Sequence, residues 1–337
     1  MRVPGTIRDV AREAGVSQAT AARALAGYGY VSDATRRRVR IAALTIGYRP
    51  NAVARSLVSG ATKTIGVVVG DIENPFFAGA ARGIADVLER DGYTLLLANS
   101  DEDLGRERRA VEALRGRRVD GLAVVPSSGD DGAHLAALLR EGCPVVLLDR
   151  PIGGLAADAV LVDNRAGAAR AVGHLAALGH RRIGLVGDSP DIGSTGERID
   201  GYRAALADVG ALADDGLVSL GGSSIEEGHR SALRLLERAD RPSALFTVNN
   251  FMTAGALGAI RELGLRIPDD VALVGFDDLD WTTLVDPPIS VVAQPVAELG
   301  RTVAERLLER LRGDAGPPRE TRLTTRLVVR GSCGGHV

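Results

Sequence analysis

Short apolar segments alternate with amphipathic stretches over most of the chain, from about residue 65 to residue 331. The apolar segments are IGVVVG (65–70), TLLLAN (94–99), DGLAVV (120–125), PVVLLD (144–149), RIGLVG (182–187), SALFTV (243–248) and VALVGF (271–276). The stretches with helical periodicity lie near 76–90, 105–116, 133–141, 165–178, 198–209, 226–238, 251–263 and 295–312. Strands that are apolar throughout predict parallel sheets covered by helices on both faces. Such sheets bind ligands at the carboxyl ends of their strands.

This α/β region is long for a single sheet. The alternation begins again after about residue 160, and a domain commonly holds about 150 residues. We therefore expect two lobes with a cleft between them.

Residues 1–60 differ in charge from the rest of the chain. They contain ten arginines and three acidic residues, a formal charge of +7, whereas the remainder carries −9. The two parts give the net charge of −2. A basic segment joined to an acidic one suits a polyanionic partner such as nucleic acid. The alternative is a basic face that contacts only solvent.

Three short helices are predicted in the basic segment. Thr6, Ser17 and Ser32 are placed to cap them, and apolar residues follow each cap at helical spacing. Gly15 allows a tight turn between the first two helices. Two helices joined by a glycine turn in a basic segment are typical of a helix-turn-helix. From the pattern alone, an ordinary small helical bundle is the alternative.

The segments TIRDVAREAGVSQATAARAL and VSDATRRRVRIAALTIGYRPNAVARSL resemble the DNA-binding head of the lactose-repressor (LacI/GalR) family. The family pattern runs T-I-x-D-V-A-x-x-A-G-V-S-x-x-T-V-S-R-x-L-N and later L-G-Y-x-P-N-x-x-A-x-x-L. The resemblance implies a recognition helix that begins at Ser17 and enters the major groove of double-stranded operator DNA. This chain has Ala21-Ala22 where Val-Ser is usual and Ala26 where Asn is usual. The departures imply weaker phosphate contacts, or their replacement by the arginines at 36–38.

The residue types in this head suit DNA. Arginine can bond to guanine, glutamine to adenine, and alanine can touch a thymine methyl group. Hydroxyl groups and the amides at helix starts suit phosphate oxygens. The expected base-reading residues are Gln18, Ala19 and Arg23, and the expected phosphate-binding residues are Thr6, Ser17, Thr20 and Asn51.

Residues 49–57 resemble the hinge helix of the same family. Pro50 suits the first helical position, and so short a segment does not form a stable isolated helix. The resemblance implies that the helix forms only when paired with its dimer mate on DNA, with Val53 and Ala54 packed across the pair. Leu57 would then insert into a minor-groove base step. The alternative for Leu57 is a linker residue that covers the body.

The rest of the chain also resembles this family, whose body has the two-lobed fold of periplasmic sugar-binding proteins. The landmarks include NPFF (74–77), DR (149–150), ERIDGY (197–202) and GFDD (275–278). The resemblance implies three crossings between the lobes, near residues 162, 291 and 322. The expected domains are an all-α helix-turn-helix head (1–48), a hinge helix and linker (49–60), a two-lobed effector-binding and dimerisation domain (61–331) and a tail (332–337).

Polar residues follow several predicted strands, where they would line a cleft. Amides, carboxylates and guanidinium groups suit a polyol, and an aromatic ring suits the apolar face of a sugar. The expected effector-binding residues at positions that hold sugar in related pentose-binding proteins are Asn74, Phe76, Phe77, Arg198, Asn249, Asp277 and Gln294. Ser128 and Ser194 are further candidates. Structural roles are the alternative, because Asn74 can cap a helix, Asp277 can cap a turn, and a phenylalanine can belong to the core. Ser128 stands where a sugar-binding relative can carry an acid, so the effector stays open.

Other classes of protein lack support in the sequence. No apolar run approaches the ~20 residues of a membrane span, and the first residues hold no apolar segment typical of a secretory signal. Two cysteines, Cys143 and Cys333, cannot form a disulfide framework, so we expect a cytoplasmic protein. The dinucleotide and phosphate-loop glycine patterns, the serine-nucleophile motif and zinc-like spacing are missing. We expect no catalytic site, no cofactor and no metal.

Together these features predict a homodimeric transcriptional regulator, a repressor of carbohydrate uptake or catabolism genes. Two heads would read the half-sites of a pseudo-palindromic operator. A small sugar-like effector between the lobes would either release the protein from this operator or tighten it there, since both signs occur in the family. The alternative is a sugar-binding module without a role on DNA, against which the basic head argues.

Overall fold

The computed structural model describes residues 5–26, 29–48, 61–210 and 214–334. The chain forms two compact units, a head of residues 1–64 and a body of residues 65–337.

The described part of the head is a bundle of three helices, α1 (Ile7–Ala14), α2 (Gln18–Ala26) and α3 (Asp33–Thr45). A reciprocal capping box starts α1, because the Thr6 hydroxyl accepts from the Asp9 N–H and the Asp9 carboxylate accepts from the Thr6 N–H. Gly15 ends α1 in the left-handed region, at φ 62°. Small side chains let the helices approach closely. The buried core of the head is Val10, Ala11, Ala14, Ala21, Ala24, Val39, Ala42 and Ala43.

The body begins with five strands and three helices in alternation. These are β1 (Thr64–Val69), α4 (Pro75–Arg90), β2 (Thr94–Asn99), α5 (Leu104–Gly116), β3 (Gly121–Val124), α6 (Ala133–Arg140), β4 (Val145–Leu148) and β5 (Asp158–Val162). Strands β3, β4 and β5 are buried along their whole length. This explains the continuous apolar sequences of β3 and β4, whereas β5 begins with the charged Asp158.

A second series of strands and helices follows. It consists of α7 (Asn164–Ala177), β6 (Ile183–Gly187), α8 (Gly193–Asp208), β7 (Val218–Leu220), α9 (Ile225–Leu236), β8 (Ala244–Thr247), α10 (Asn250–Glu262), β9 (Ala272–Phe276), α11 (Trp281–Leu284) and β10 (Ser290–Ala293). The chain ends with α12 (Val296–Leu311), β11 (Glu320–Leu323) and β12 (Arg326–Val328).

The strands form two six-stranded sheets, one in each lobe. The order in the first lobe is β11-β5-β4-β3-β1-β2, and in the second lobe β12-β10-β9-β8-β6-β7. Strand β12 is antiparallel to β10, whereas β6, β8, β9 and β10 pair in parallel. The chain passes between the lobes after β5, after β10 and after β11. Helix α12 therefore packs on the first sheet although it follows a strand of the second.

Two glycines allow a close crossing of α4 and α12 in the first lobe. A Cβ atom added at Gly300 would lie 2.2 Å from the carbonyl oxygen of Ala80, and one at Gly83 would lie 2.6 Å from that of Ala297. Any side chain at these positions would push the helices apart.

Within the described ranges, none of the helices combines the length and the apolar character that a membrane crossing requires.

Candidate functional site

The second helix of the head presents its first turn to solvent. Ser17 caps this helix, because its hydroxyl accepts from the Thr20 N–H at 3.1 Å and lies 2.8 Å from the Thr20 hydroxyl. Gln18 and Ala19 are exposed, and Thr20 is half-buried. Arg23 lies one turn further on, where its Nε contacts the Ala19 carbonyl at 3.4 Å. The side chains expected to read bases thus start from the exposed turn of a capped helix.

Thr6 is already engaged within the head. Its hydroxyl donates to the Asp9 carboxylate at 2.7 Å, and Arg12 pairs with the same carboxylate at 2.7 Å. Hydrogen bonds from Thr6 hold the pKa of Asp9 below its usual value, and the bond from the Thr6 backbone contributes more than the bond from its hydroxyl. The residues expected in the hinge, Val53, Ala54 and Leu57, lie outside the described residues, as does Asn51.

A cavity of about 590 Å³ lies between the two lobes of the body. Eight of the nine expected effector-binding residues line it. They are Asn74, Phe76, Phe77, Ser194, Arg198, Asn249, Asp277 and Gln294. Ser128 does not line this cavity; its hydroxyl accepts hydrogen bonds from the backbone N–H groups of Asp130 and Asp131, which fixes a local turn.

Asn74 joins the two lobes at the cavity. It caps α4, because its Oδ1 accepts from the Phe76 N–H at 3.0 Å. The same oxygen accepts from Nδ2 of Asn250, in the other lobe, at 2.9 Å. Phe76 and Phe77 follow in α4, with ring centroids 5.1 Å apart in an edge-to-face arrangement. Both rings belong to the core of the first lobe and also line the cavity, so the structural and the lining roles coexist.

Asp277 organises the opposite wall. It follows β9 directly and holds a φ of 76°, which few residues other than glycine adopt. Its carboxylate accepts from the Asn250 N–H and Nδ2, both at 3.1 Å, and from Gln294 Nε2 at 2.5 Å. Within the described part of the chain, the buried Oε1 of Gln294 has no hydrogen-bond partner. This oxygen is a spare acceptor in the wall of the cavity.

Arg198 forms a buried part of the same wall. Its guanidinium lies 3.8 Å from the ring centroid of Phe276, donates to Asn164 Oδ1 at 2.9 Å and donates to the Val248 carbonyl at 2.6 Å. These contacts orient its plane and use part of its hydrogen-bonding capacity.

Asp188 was not among the residues expected from the sequence. It directly follows β6 and accepts from Asn249 Nδ2 at 2.7 Å, from the Ser223 hydroxyl at 3.2 Å and from the Thr195 hydroxyl. Asn249 in turn caps α10 through Oδ1, which accepts from the Met252 N–H. An acidic residue directly after an apolar strand is the sequence signal that could have found Asp188.

Arg150 and its partners form the other group that the sequence did not single out as site residues. Asp149 follows β4 with a φ of 71°, and its carboxylate accepts from the Ser194 hydroxyl of the second lobe at 3.2 Å. Arg150 pairs with both oxygens of Glu102, at 2.7 and 2.9 Å, and with Asp149 at 3.2 Å. Burial alone would lower the pKa of Arg150, but these two carboxylates raise it well above its usual value.

Among the residues that the structure describes, no group of three or more His, Cys, Asp or Glu side chains is arranged to hold a metal ion. The polar groups of the cavity instead bond to one another in pairs and small networks. Donors and acceptors that line a cavity can exchange their partners for the hydroxyl groups of a small ligand.

Comparison with known proteins decides the family. The model described as bacterial regulatory proteins, lacI family, matches residues 6–51, and a periplasmic binding protein-like domain matches residues 172–333. The HTH-type transcriptional regulator PtxS of Pseudomonas aeruginosa is 39% identical over 331 residues, which cover 97% of this chain and 95% of that protein. The chain belongs to the LacI family.

The solved structures of LacI-family proteins share this fold. The crystal structure of the lac repressor dimer bound to operator and the anti-inducer ONPF matches with a TM-score of 0.88 at 28% identity, over 98% of this chain and 99% of that one. A LacI-family regulator from Enterococcus faecium with bound ribose is 32% identical, with a TM-score of 0.72 over 80% of this chain and 98% of that one.

Membership of the LacI family confirms the resemblance and the fold expected from the sequence, a helix-turn-helix head and a two-lobed α/β body. LacI-family proteins are DNA-binding transcriptional regulators rather than enzymes. A sugar-binding module without a role on DNA is therefore set aside, because residues 6–51 match the DNA-binding model.

Proposed function

We propose that this LacI-family regulator is a cytoplasmic, homodimeric repressor of carbohydrate uptake or catabolism genes. The observation that carries the proposal is the cavity of about 590 Å³, whose polar lining comes from both lobes of the body. A ligand held by both lobes favours one arrangement of them and so shifts the population of the whole protein.

The head supplies the contacts to DNA in this proposal. Gln18, Ala19 and Arg23 meet base edges in the major groove, and Thr6, Ser17 and Thr20 contact phosphates. The support is the exposure of the first turn of α2. The proposal assigns Asn51 to a phosphate contact, Val53 and Ala54 to the contact between paired hinge helices, and Leu57 to the minor groove. Dimer symmetry would match these contacts to two half-sites of a pseudo-palindromic operator.

The cavity supplies the effector site. Amide and carboxylate groups of Asn74, Asn249, Asp277 and Gln294 offer donors and acceptors to a polyol, and the edges of Phe76 and Phe77 offer an apolar surface. The hydrogen bond between Asn74 and Asn250 joins the lobes at this place. A ligand that replaces this bond changes the relative stability of the lobe arrangements.

The coupling free energy between effector binding and operator binding can be bounded. Allosteric couplings of ~1–3 kcal/mol change an affinity by roughly 5-fold to 150-fold. The effector either releases the protein from the operator or tightens it there, and both signs are compatible with the same residues.

The proposal is tested with the full-length protein and duplex DNA. Rounds of selection from a random duplex library would enrich a pseudo-palindromic sequence, and fluorescence anisotropy would then measure the affinity for it with and without sugars. We expect one or more sugars to change operator affinity by at least about fivefold. Failure to enrich any duplex, at low as well as physiological salt, would overturn the proposal. An enriched operator whose affinity no small molecule changes would overturn the effector site alone.

A further inference from the structure

The lining of the interlobe cavity is strongly acidic. Seven carboxylates and two guanidinium groups line it. The carboxylates belong to Asp71, Glu73, Asp101, Glu102, Asp149, Asp188 and Asp277, and the guanidinium groups belong to Arg150 and Arg198. A ligand with its own negative charge meets this excess of like charge unless an arginine is available to bind it.

Arg150 is the arginine best suited to bind an anion, but both terminal nitrogens of its guanidinium already have a partner. Both terminal nitrogens donate to Glu102, at 2.7 and 2.9 Å, in the bidentate geometry that a guanidinium otherwise offers to a carboxylate or a phosphate. Nε donates to Asp149 at 3.2 Å. The Arg150 side chain is 6% exposed, so solvent screens these contacts weakly.

The backbone is built to place Glu102 there. Glu102 occupies the left-handed region with a φ of 54°, and its N–H donates to the Gly70 carbonyl at 3.0 Å. A Cβ atom at Gly70 would lie 2.1 Å from Glu102 Oε1 and 2.7 Å from Cδ. The absence of a side chain at Gly70 is therefore what admits the carboxylate to Arg150.

Arg198 offers no free pair of nitrogens either, because its Nε and Nη1 already have acceptors. Its guanidinium lies on the Phe276 ring and donates to Asn164 and Val248. An anion that binds an arginine of the cavity through two nitrogens would therefore have to displace Glu102 from Arg150, which would leave the Glu102 carboxylate without its partner. Breaking one side of a buried ion pair is strongly unfavourable.

We propose that Glu102 determines the charge preference of the effector site, so that the site takes an uncharged polyhydroxyl ligand and rejects its carboxylated or phosphorylated counterpart. By binding both terminal nitrogens of Arg150, Glu102 acts as a built-in anion at the position that an acidic ligand would need. The inference rests on the proposed function, because it assumes that the effector binds in the interlobe cavity.

The test compares neutral and anionic members of matched pairs on the full-length protein. The probes are D-ribose with D-ribose 5-phosphate, and D-glucose with D-glucuronate, measured by titration calorimetry and by thermal shift. In the wild-type protein we expect the neutral member of a pair to bind at least about tenfold more tightly, the factor that corresponds to ~1.4 kcal/mol. In Glu102→Gln we expect the ratio of the two affinities, neutral over anionic, to fall by at least about tenfold. The reason is that unit charges ~4 Å apart interact strongly even at protein-like dielectric constants.

Two further variants separate charge preference from general damage. Glu141→Gln removes an equally bidentate partner from Arg115, at 2.6 and 3.0 Å, on the exposed surface of the same lobe. This control is expected to leave the ratio as in the wild type. Gly70→Ala keeps every charge but displaces the Glu102 carboxylate, so it is expected to shift the ratio in the same direction as Glu102→Gln.

The possible outcomes are distinguishable. The inference is overturned, whatever the variants do, if the wild-type protein binds D-glucuronate or D-ribose 5-phosphate more tightly than the neutral member of the pair. An unchanged ratio in folded Glu102→Gln also overturns it. If Glu102→Gln does not fold, the wild-type ratio and Gly70→Ala decide. If none of the four probes and no other sugar binds any of these proteins, the proposed effector site fails, and the inference fails with it.

Discussion

Replacing Asp158 with asparagine tests how far buried ion pairs hold the first lobe together. Asp158 begins β5, and its carboxylate is 3% exposed. It accepts from Arg310 Nε at 2.7 Å, from Arg310 Nη2 at 3.0 Å and from the Arg319 N–H at 2.8 Å, and it pairs with Arg306 Nε at 3.0 Å. The carboxylate thus ties β5 to α12 and to the segment that leads into β11. Asparagine keeps the shape, removes the charge and turns an N–H group toward arginine donors.

The size of the loss follows from the partners that remain. Removing one side of a buried pair costs ~3–5 kcal/mol. Arg306 keeps Glu309 and Asp314, and the Arg310 side chain is 15% exposed, so we expect the lower end of this range. A loss of about 3 kcal/mol corresponds to a fall in Tm of roughly 6–12 °C for a unit of this size.

Thermal and urea unfolding of the full-length protein would measure the effect against a matched control. The control is Asp91→Asn, whose partner Arg312 is 63% exposed, and we expect it to cost less than ~1 kcal/mol.

Burial alone would raise the pKa of Asp158, but hydrogen bonds from Arg310, Arg319 and Arg306 lower it below 3.8. The contribution of a group with a lowered native pKa is present above its unfolded pKa and is lost as the pH falls through the native pKa. The difference between the wild type and Asp158→Asn should therefore be constant at neutral pH and shrink only below about pH 3.8. Equal losses in Asp158→Asn and Asp91→Asn, or a difference that shrinks near neutral pH, would refute the reasoning.

Three further predictions concern the head, the cavity and the helix crossing. Arg23→Ala should weaken binding to the selected operator by ~1–3 kcal/mol through one base pair; an equal loss on random duplex in a competition assay would argue against base reading. Asp277→Asn should weaken effector binding at least about tenfold in calorimetry, because asparagine keeps only one acceptor oxygen, so that either Asn250 or Gln294 loses its partner. Operator affinity without effector should stay within about threefold of the wild type. Gly300→Ala should destabilise the body by ~1–3 kcal/mol or more through the clash with the Ala80 carbonyl. Gly173→Ala, where a Cβ atom meets nothing within 4 Å, should be neutral or stabilising in the same unfolding experiment.

The head shows how much a sequence can predict when the determining contacts are local. The caps at Thr6, Ser17 and Ser32 bond to backbone or side-chain groups three residues away, so the starts of all three helices could be predicted. Most of the apolar core strands were equally predictable, because continuous burial leaves a continuous apolar sequence. The buried strands β5 and β10 were not among the segments expected from the sequence. The resemblance to a known family added the crossings and eight of the residues that line the cavity.

Elements at the edges of the sheets escaped the pattern. Strand β11 has the sequence ETRL, alternates between exposed and half-buried positions and becomes a strand by pairing with β5, with Glu320 opposite Ala159. Strand β7 is only three residues long and pairs with β6. Such segments form hydrogen bonds to a partner strand that is distant in the sequence, so their own residues carry little of the signal.

Ser128 and Glu102 show the same division within the candidate site. Ser128 was expected in the cavity by its position in the family pattern, but its hydroxyl caps a turn two and three residues away. Glu102 was not expected, because its partner Arg150 is 48 residues away and its carboxylate also needs the space that Gly70 leaves. No spacing rule links three residues that meet only after two strands and a loop have packed.

The sequence by itself determined the helix starts, the apolar strands, the charge contrast between head and body, and the family. These depend on hydrogen bonds within a few residues and on periodic burial, both of which can be read along a single segment. Only the tertiary structure decided which carboxylate pairs with Arg150, which amide joins the lobes, and how closely α4 and α12 cross. Those outcomes depend on distances of 2–3 Å between segments far apart in the chain, and such distances exist only once both lobes have folded.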